Sequence, residues 1–535
     1  MKKNIVIFIK VLPLILLVNT FLAAQQNNLA KLRKTTYIDE PIQATHKYWV
    51  VFRDKGAFAP NARYVSVQTW QNRRLLGLPL QQISDVPVAT QYIQQLQKQK
   101  IRLCQRSKWL NAVSVRANAA QRTWLRQQAF VKEVSLVYTQ GVIAAQQRTN
   151  EPSKKQFATV LKQMKAQFLV EAGLNGKSIK IGIIDVGFDG ADKLSALKHI
   201  FKDKRFLGGR DFVKPSNKKM FNRQTNDDYH GTQVWRAIAG KTTQRQFGLA
   251  TGAQFYIART DHGVTETRTE EDNWIAAVEW MDSLGVRIVN TSLGYSDGFT
   301  NRKEDYTPQE MDGKTSKISR AADIAVKQKG MLMVVSAGNE GAIQWKVVST
   351  PGDAKEALSV GATNKNFRAK AGYSSIGPDF LPYLKPNVSC FASNGTSFSA
   401  PVISGLAACL LQKKPSLKNT ELRAIIEKSA HLYPYGNNYI GYGIPQANVA
   451  LKLINEPLWK PDNVKTMEVT KDKLVLEKLT AKKVVVFHKR DQYQVQHQQR
   501  MKVGKDQKVV IKRHKRTTQR TTIDIGHEVI EIYWK

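Results

Sequence analysis

The chain has 535 residues and a formal net charge of +39, from 82 Lys and Arg against 43 Asp and Glu. A hydrophobic content of 42% excludes global disorder, and the length implies more than one domain. Three cysteines, Cys104, Cys390 and Cys409, are too few for a disulfide-built scaffold, although Cys390 and Cys409 could pair if the fold brought them together. The basic residues are spread along the whole chain without a nucleic-acid motif, so no specific nucleic-acid partner is expected.

Lys2 and Lys3 precede an apolar run over 5–18, broken once by Lys10, that ends in Leu22-Ala23-Ala24-Gln25. This is the pattern of a signal peptide, residues 1–24, cut near Ala24, and it implies a secreted or cell-envelope location. No later segment is long enough to span a membrane, so no transmembrane helix is expected after its removal. Residues 25–145 read as a small α+β unit: strand 48–52, helix 87–97, strand 109–115, helix 119–128 and strand 131–137. Residues 140–156 are polar and aperiodic, as in an exposed linker.

From residue 157 the pattern changes. Apolar runs at 179–184, 254–258, 286–290 and 331–335 alternate with helical patterns such as 274–282 and 318–327. Runs of this kind suit strands buried on both faces, giving an α/β fold with a mostly parallel sheet flanked by helices. Ligands of such sheets bind beyond the carboxyl ends of the strands. The polar residues gather there: Asp185-Val186-Gly187 after the first strand, Ser292-Leu293-Gly294 after the third, and Ser336 to Gly341 (SAGNEG) after the fourth. Two further small-residue turns open apolar helices. One is DDYHGTQV around His230; the other is NGTSFSAP around Ser397, with Val402, Leu406 and Leu410 on one helical face and Pro401 in the first turn.

A serine hydroxyl needs a base, a carboxylate to orient that base, and donors for an oxyanion. The candidates occur in the order Asp185, His230, Asn339, Ser397. With IGIIDVGFDG, DYHGTQVWRAIAG, VVSAGNEG and GTSFSAP in that order, the chain resembles the subtilisin-like serine proteases, the subtilases, over roughly residues 170–450. The resemblance implies Ser397 as nucleophile, His230 as general base and acid, Asp185 as its orienting carboxylate, and the Asn339 amide as an oxyanion donor. It also implies that Ser292, Leu293 and Gly294 form an edge strand pairing with a polypeptide substrate, that Ala337 and Gly338 form the opposite pocket wall, and that Pro351 can be cis. Val186 replaces the Ser or Thr usual after the aspartate. No cofactor is implied; structural calcium is possible but not indicated, since no Asp/Asn-rich loop with calcium spacing is found.

By the same resemblance, 25–145 is a pro-region that inhibits its own enzyme, and 146–455 is the catalytic domain. Residues 456–535 alternate apolar and polar residues among Lys and Arg clusters, as in a small basic β-rich domain that could hold an anionic cell-surface polymer, serve as a secretion signal, or be a stabilising appendage with solvated charges. The rival readings are a non-catalytic peptide-binding module on the same fold, and an esterase or peptide ligase using the same residues.

Overall fold

The computed structural model describes residues 45–138, 154–263, 267–299, 301–460 and 463–535. The signal segment lies outside these residues, as does the linker apart from its last three positions, which begin the helix Lys154–Gln163.

The N-terminal unit is an antiparallel sheet of order β2-β3-β1-β4, with β1 His46–Phe52, β2 Arg102–Ser107, β3 Ala112–Ala117 and β4 Val131–Tyr138. Helices Thr90–Lys98 and Ala119–Gln127 bury Tyr92, Ile93, Leu96 and Leu125 against Tyr48, Val50, Val113 and Val115. Asn118 and Gln121 cap the second helix reciprocally, each side-chain oxygen accepting from the other's backbone N–H. Three expectations change. The first helix starts at Thr90, because Pro87 to Ala89 remain outside it. The expected strand 109–115 is instead a turn followed by β3: Asn111 has φ 50°, and β2 ends just before it. A helix Val67–Leu75 and β2 itself lack the apolar periodicity that would have announced them.

The central unit is a seven-stranded, wholly parallel sheet of order β11-β10-β9-β8-β5-β7-β6. The strands are β5 Lys180–Asp185, β6 Phe206–Asp211, β7 Gln254–Arg259, β8 Ile288–Thr291, β9 Leu332–Ser336, β10 Leu358–Thr363 and β11 Val388–Phe391. Helices Tyr229–Ala239 and Ala400–Lys413 share one core with Ile181, Ile183 and Phe255. Helices Thr269–Ser283 and Lys317–Lys327 share another with Ile184, Val289 and Val335 on the opposite face. The helix Ala400–Lys413 is buried all round from Ala400 to Leu411, not on one face only. Gly405 lets it approach closely, since a Cβ there would lie 3.1 Å from Leu249 Cβ. Cys390 and Cys409 are separate buried thiols facing Ser399 and Leu174 carbonyls, so the possible pairing does not form.

The C-terminal unit is β-rich. Its sheet has order β12-β18-β17-β14-β15, from β12 Val464–Val469, β14 Lys483–Lys489, β15 Val495–Lys502, β17 Arg520–Asp524 and β18 Val529–Trp534. β13 Lys473–Leu476 and β16 Val509–Lys512 form a separate ribbon. Val485, Phe487 and Val529 pack with Ala369, Leu432 and Ile440 of the central unit, and Arg368 pairs with Asp524 across the junction. No helix among the described residues is long and apolar enough to cross a membrane.

The N-terminal sheet lies on helix Thr269–Ser283. Glu279 accepts from Ser107 Oγ (2.6 Å) and from the backbone N–H groups of Lys108 and Trp109 (3.1 and 3.2 Å). Lys47 pairs with Asp272 at 2.6 Å. Arg73 bonds Asp85 through both guanidinium nitrogens, lies 3.6 Å from Asp282, and shares Asp85 with Lys329 of the central unit. These four side chains are almost wholly buried. Removing one member leaves buried charge uncompensated, a cost of about 3–5 kcal/mol. Arg73→Ala is therefore expected to lower the thermal midpoint of the intact chain by several degrees, whereas a change at exposed Arg74 leaves it in place; differential scanning calorimetry checks both.

Candidate active site

Asp185 ends β5, and its carboxylate is fully buried. Oδ1 accepts from the Val186 N–H (2.9 Å) and from His230 Nδ1 (2.7 Å). Oδ2 is buried with no hydrogen-bond partner, and the Val186 side chain next to it in sequence has no hydroxyl to offer. His230 sits in the first turn of helix Tyr229–Ala239. That helix rests directly on the strand end because two residues lack Cβ atoms. A Cβ on Gly231 would lie 2.9 Å from Asp185 Cβ and collide with the Gly187 carbonyl, and one on Gly187 would lie 2.6 Å from Asp228 Cα. With Nδ1 donating to Asp185, the neutral imidazole keeps its Nε2 lone pair.

Burial works against the His230 imidazolium, but the charge and hydrogen bond of Asp185, with Asp227 and Asp261 adding, carry its pKa above the ordinary 6.5. Asp228, two residues before His230, turns away: it accepts from the N–H of Thr225 (2.9 Å) and its Oγ1 (2.6 Å), and from the Gln224 N–H. Asp261, beyond the end of β7, was not among the site residues expected from sequence. It accepts from Tyr295 Oη (2.9 Å) and Thr260 Oγ1 (2.8 Å). Its carboxyl is pushed up to about 6, first by burial, with Asp185 adding to it against those two hydrogen bonds.

Ser397 lies in the single turn Thr396–Phe398 that leads into helix Ala400–Lys413. Its neighbour Phe398 packs on His230, with ring centroids 5.6 Å apart. The Ser397 hydroxyl donates to the Ser292 carbonyl (3.2 Å), and the Ser292 hydroxyl donates back to the Ser397 carbonyl (3.0 Å). Asn290 Nδ2 donates to Ser292 Oγ, and Ser404 Oγ to Asn290 Oδ1, which stitches the end of β8 to the helix.

Asn339 is exposed, and its amide is oriented by Thr396. Asn339 Oδ1 accepts from the Thr396 N–H (2.8 Å) and Oγ1 (3.1 Å). Its Nδ2 is left as the outward donor. Its backbone N–H donates to Glu340 Oε2 (2.6 Å), which also accepts from Ser375 Oγ (2.9 Å).

Ser292, Leu293 and Gly294 do not form an edge strand of the sheet. They continue the interior strand β8 past Thr291, its last ladder residue. Ala337 and Gly338 leave the adjacent strand β9 on the same side, so the two segments flank one gap. Gly338 has φ +108°, and a Cβ there would lie 2.8 Å from Ser375 Oγ. Ser349 N–H donates to the Ala337 carbonyl (3.2 Å), and the Thr350–Pro351 peptide is cis. The parts played by Thr396, Glu340 and Ser375 were not read from sequence, although Thr396 and Glu340 fall inside GTSFSAP and SAGNEG. Among the described residues, no three His, Cys, Asp or Glu side chains are grouped to hold a metal ion.

A model described as the subtilase family matches residues 176–443, and one described as the Peptidase S8 propeptide domain of Bacteroidota matches 47–156. Subtilisin NAT of Bacillus subtilis subsp. natto is 28% identical over 302 residues, covering 54% of this chain and 70% of its own. Subtilisin of Bacillus pumilus is 28% identical over 302 residues, covering 54% of this chain and 97% of its own. Among solved structures, the epidermin leader peptide processing serine protease of Staphylococcus aureus shares the fold, with TM-score 0.53, 15% identity, 77% of this chain and 99% of that one.

The contact at Gly231 yields a prediction. In a histidine-resolved NMR titration, His230 of the intact chain titrates above 6.5. Gly231→Ala, by forcing the helix off Asp185, moves that titration down toward 6.5; an unmoved titration would show that the close approach does not set it.

Proposed function

This chain belongs to the subtilase family and is a subtilisin-like serine endopeptidase carrying a propeptide domain; on that premise we propose that it is exported through residues 1–24 and cuts polypeptides through an acyl-enzyme on Ser397. The observation that carries the assignment is the Asp185–His230 hydrogen bond, beside a serine at a helix mouth and an asparagine amide whose oxygen is already engaged.

In this reading the Ser397 hydroxyl swings from the Ser292 carbonyl to His230 Nε2 as substrate binds, and His230 takes its proton while Ser397 attacks the scissile carbonyl. Asp185 keeps the ring in the required tautomer and stabilises the imidazolium. Asn339 Nδ2 and the Ser397 N–H receive the oxyanion. His230 then protonates the leaving amine, and water attacks the acyl-enzyme by the reverse sequence. The Ser292–Gly294 and Ala337–Gly338 segments present backbone and pocket wall to the substrate. Residues 25–145 act as the inhibitory pro-region, 146–455 as the enzyme, and 456–535 as a basic appendage, in a secreted or cell-envelope protein. A non-catalytic binding module would not need the oriented His230 or the fixed Asn339 amide.

The deciding experiment is labelling of processed protein with a fluorophosphonate probe. Wild type is labelled and Ser397→Ala is not; unlabelled, processed wild type would support the binding module instead. For subtilisin itself, loss of the nucleophile costs on the order of 10⁶ in turnover and loss of the amide donor about 10²–10³. The same sizes are the family expectation for Ser397→Ala and Asn339→Ala in peptide-hydrolysis assays. Because general-base action needs neutral His230, kcat/KM is expected to fall as pH drops through a value above 6.5, read from a pH–rate profile.

A further inference from the structure

Lys370 lies outside every motif of the site, yet its side chain is inserted under it. The Nζ donates to three backbone carbonyls of its own turn: Ala371 (3.1 Å), Gly372 (2.9 Å) and Ser374 (2.9 Å). Among the described residues no carboxylate forms an ion pair with it. The charged and titratable groups around it are otherwise engaged. Arg368 pairs with Asp524, Tyr373 Oη donates to the Ala392 carbonyl, and Glu340 is held by Ser375 and the Asn339 N–H. The Tyr439 ring is 5.8 Å away, and from the C-terminal sheet Gln498 Oε1 accepts the Lys370 N–H while Arg500 lies over Phe367.

The turn that Lys370 gathers is bonded to the loop bearing Asn339 at four points. Gly341 N–H donates to the Tyr373 carbonyl (2.8 Å), and Ser375 N–H to the Gly338 carbonyl (3.1 Å). Glu340 N–H donates to Ser375 Oγ (3.1 Å), which donates in turn to Glu340 Oε2. A Cβ on Gly341 would collide with the Ser374 carbonyl and lie 3.0 Å from Lys370 Nζ, so the two loops meet without spare room.

We infer that Lys370 is a positioning residue: its ammonium is an internal strut that holds the 371–375 turn, and through it the Gly338–Gly341 loop, so that the Asn339 amide faces the oxyanion formed at Ser397. This rests on the roles given above to Asn339 and Ser397. An ammonium can serve three carbonyls at once, whereas a neutral amine has one N–H fewer and turns a lone pair on the cradle. Burial brings the Lys370 pKa down to about 8, so the strut weakens as pH rises through that value.

The test is kcat and KM of the processed enzyme on a peptide substrate between pH 6 and 10.5, for wild type, Lys370→Arg and Lys370→Met. Wild type is expected to lose kcat on the order of tenfold across a limb near pH 8, as a displaced donor dictates. Lys370→Arg, which stays charged, keeps neutral-pH activity and lacks that limb. Lys370→Met is lowered on the order of tenfold at pH 7, mainly in kcat, and is flat above it. A wild-type profile flat to pH 10 overturns the inference, as does a limb unchanged in Lys370→Arg; this pair decides even if Lys370→Met does not fold. Active wild type disabled by Asn339→Ala but indifferent to both Lys370 changes removes the strut and keeps the catalytic reading, whereas wild type without peptidase activity removes both.

Discussion

The site depends on a place where two backbones meet with no side chain between them. Gly231 lies on Gly187, so a helix start and a strand end are closer than any pair of Cβ-bearing residues allows. That proximity sets the 2.7 Å contact between His230 and Asp185. It also buries the carboxylate, which strengthens its effect on the imidazole by removing competing water. Ser397 stands in the turn that leads into a buried helix, and its neighbour Phe398 packs on His230. The arrangement is therefore a result of packing: each of these side chains is carried by an element that stops or starts where the parallel sheet ends.

What could be read from the sequence follows from how local the signals are. Asp185, His230, Asn339 and Ser397 each stand in a small-residue turn at the end of an apolar run, and both turn and run are legible over a few residues. Four of the seven sheet strands announced themselves as continuous apolar stretches. The others did not: β6 contains Gly208 and Gly209, and β10 and β11 are built largely of small residues. The expected strand 109–115 shows the opposite error. Trp109 is buried because it packs into the core shared with the central unit, so its apolar character marks an interface and not a ladder position. The Asp261–Tyr295 and Ser375–Glu340 contacts were invisible because each joins residues distant in sequence.

The C-terminal sheet, with its lysine-rich strands, is joined to the central unit by shared apolar residues and by Arg368–Asp524. Burial opposes an ionised Asp524, but Arg368 and the nearby His431 hold its carboxyl far below the usual range. The junction continues through residues 368–375 toward Ser375 and Glu340, so the C-terminal unit braces the ground on which the pocket stands.

The network of Arg73, Asp85, Asp282 and Lys329 has a kinetic meaning. Arg73 and Asp85 belong to the propeptide domain, Asp282 and Lys329 to the enzyme, and water is excluded from all four. Parting the two bodies by a fraction of an ångström weakens these attractions before a water molecule can enter to replace them. Lys47–Asp272 and the three donors on Glu279 lie along the same interface. Were the chain cut between the two bodies, these contacts would still hold the propeptide domain against the enzyme, so cutting the chain and freeing the two bodies from each other are separate events.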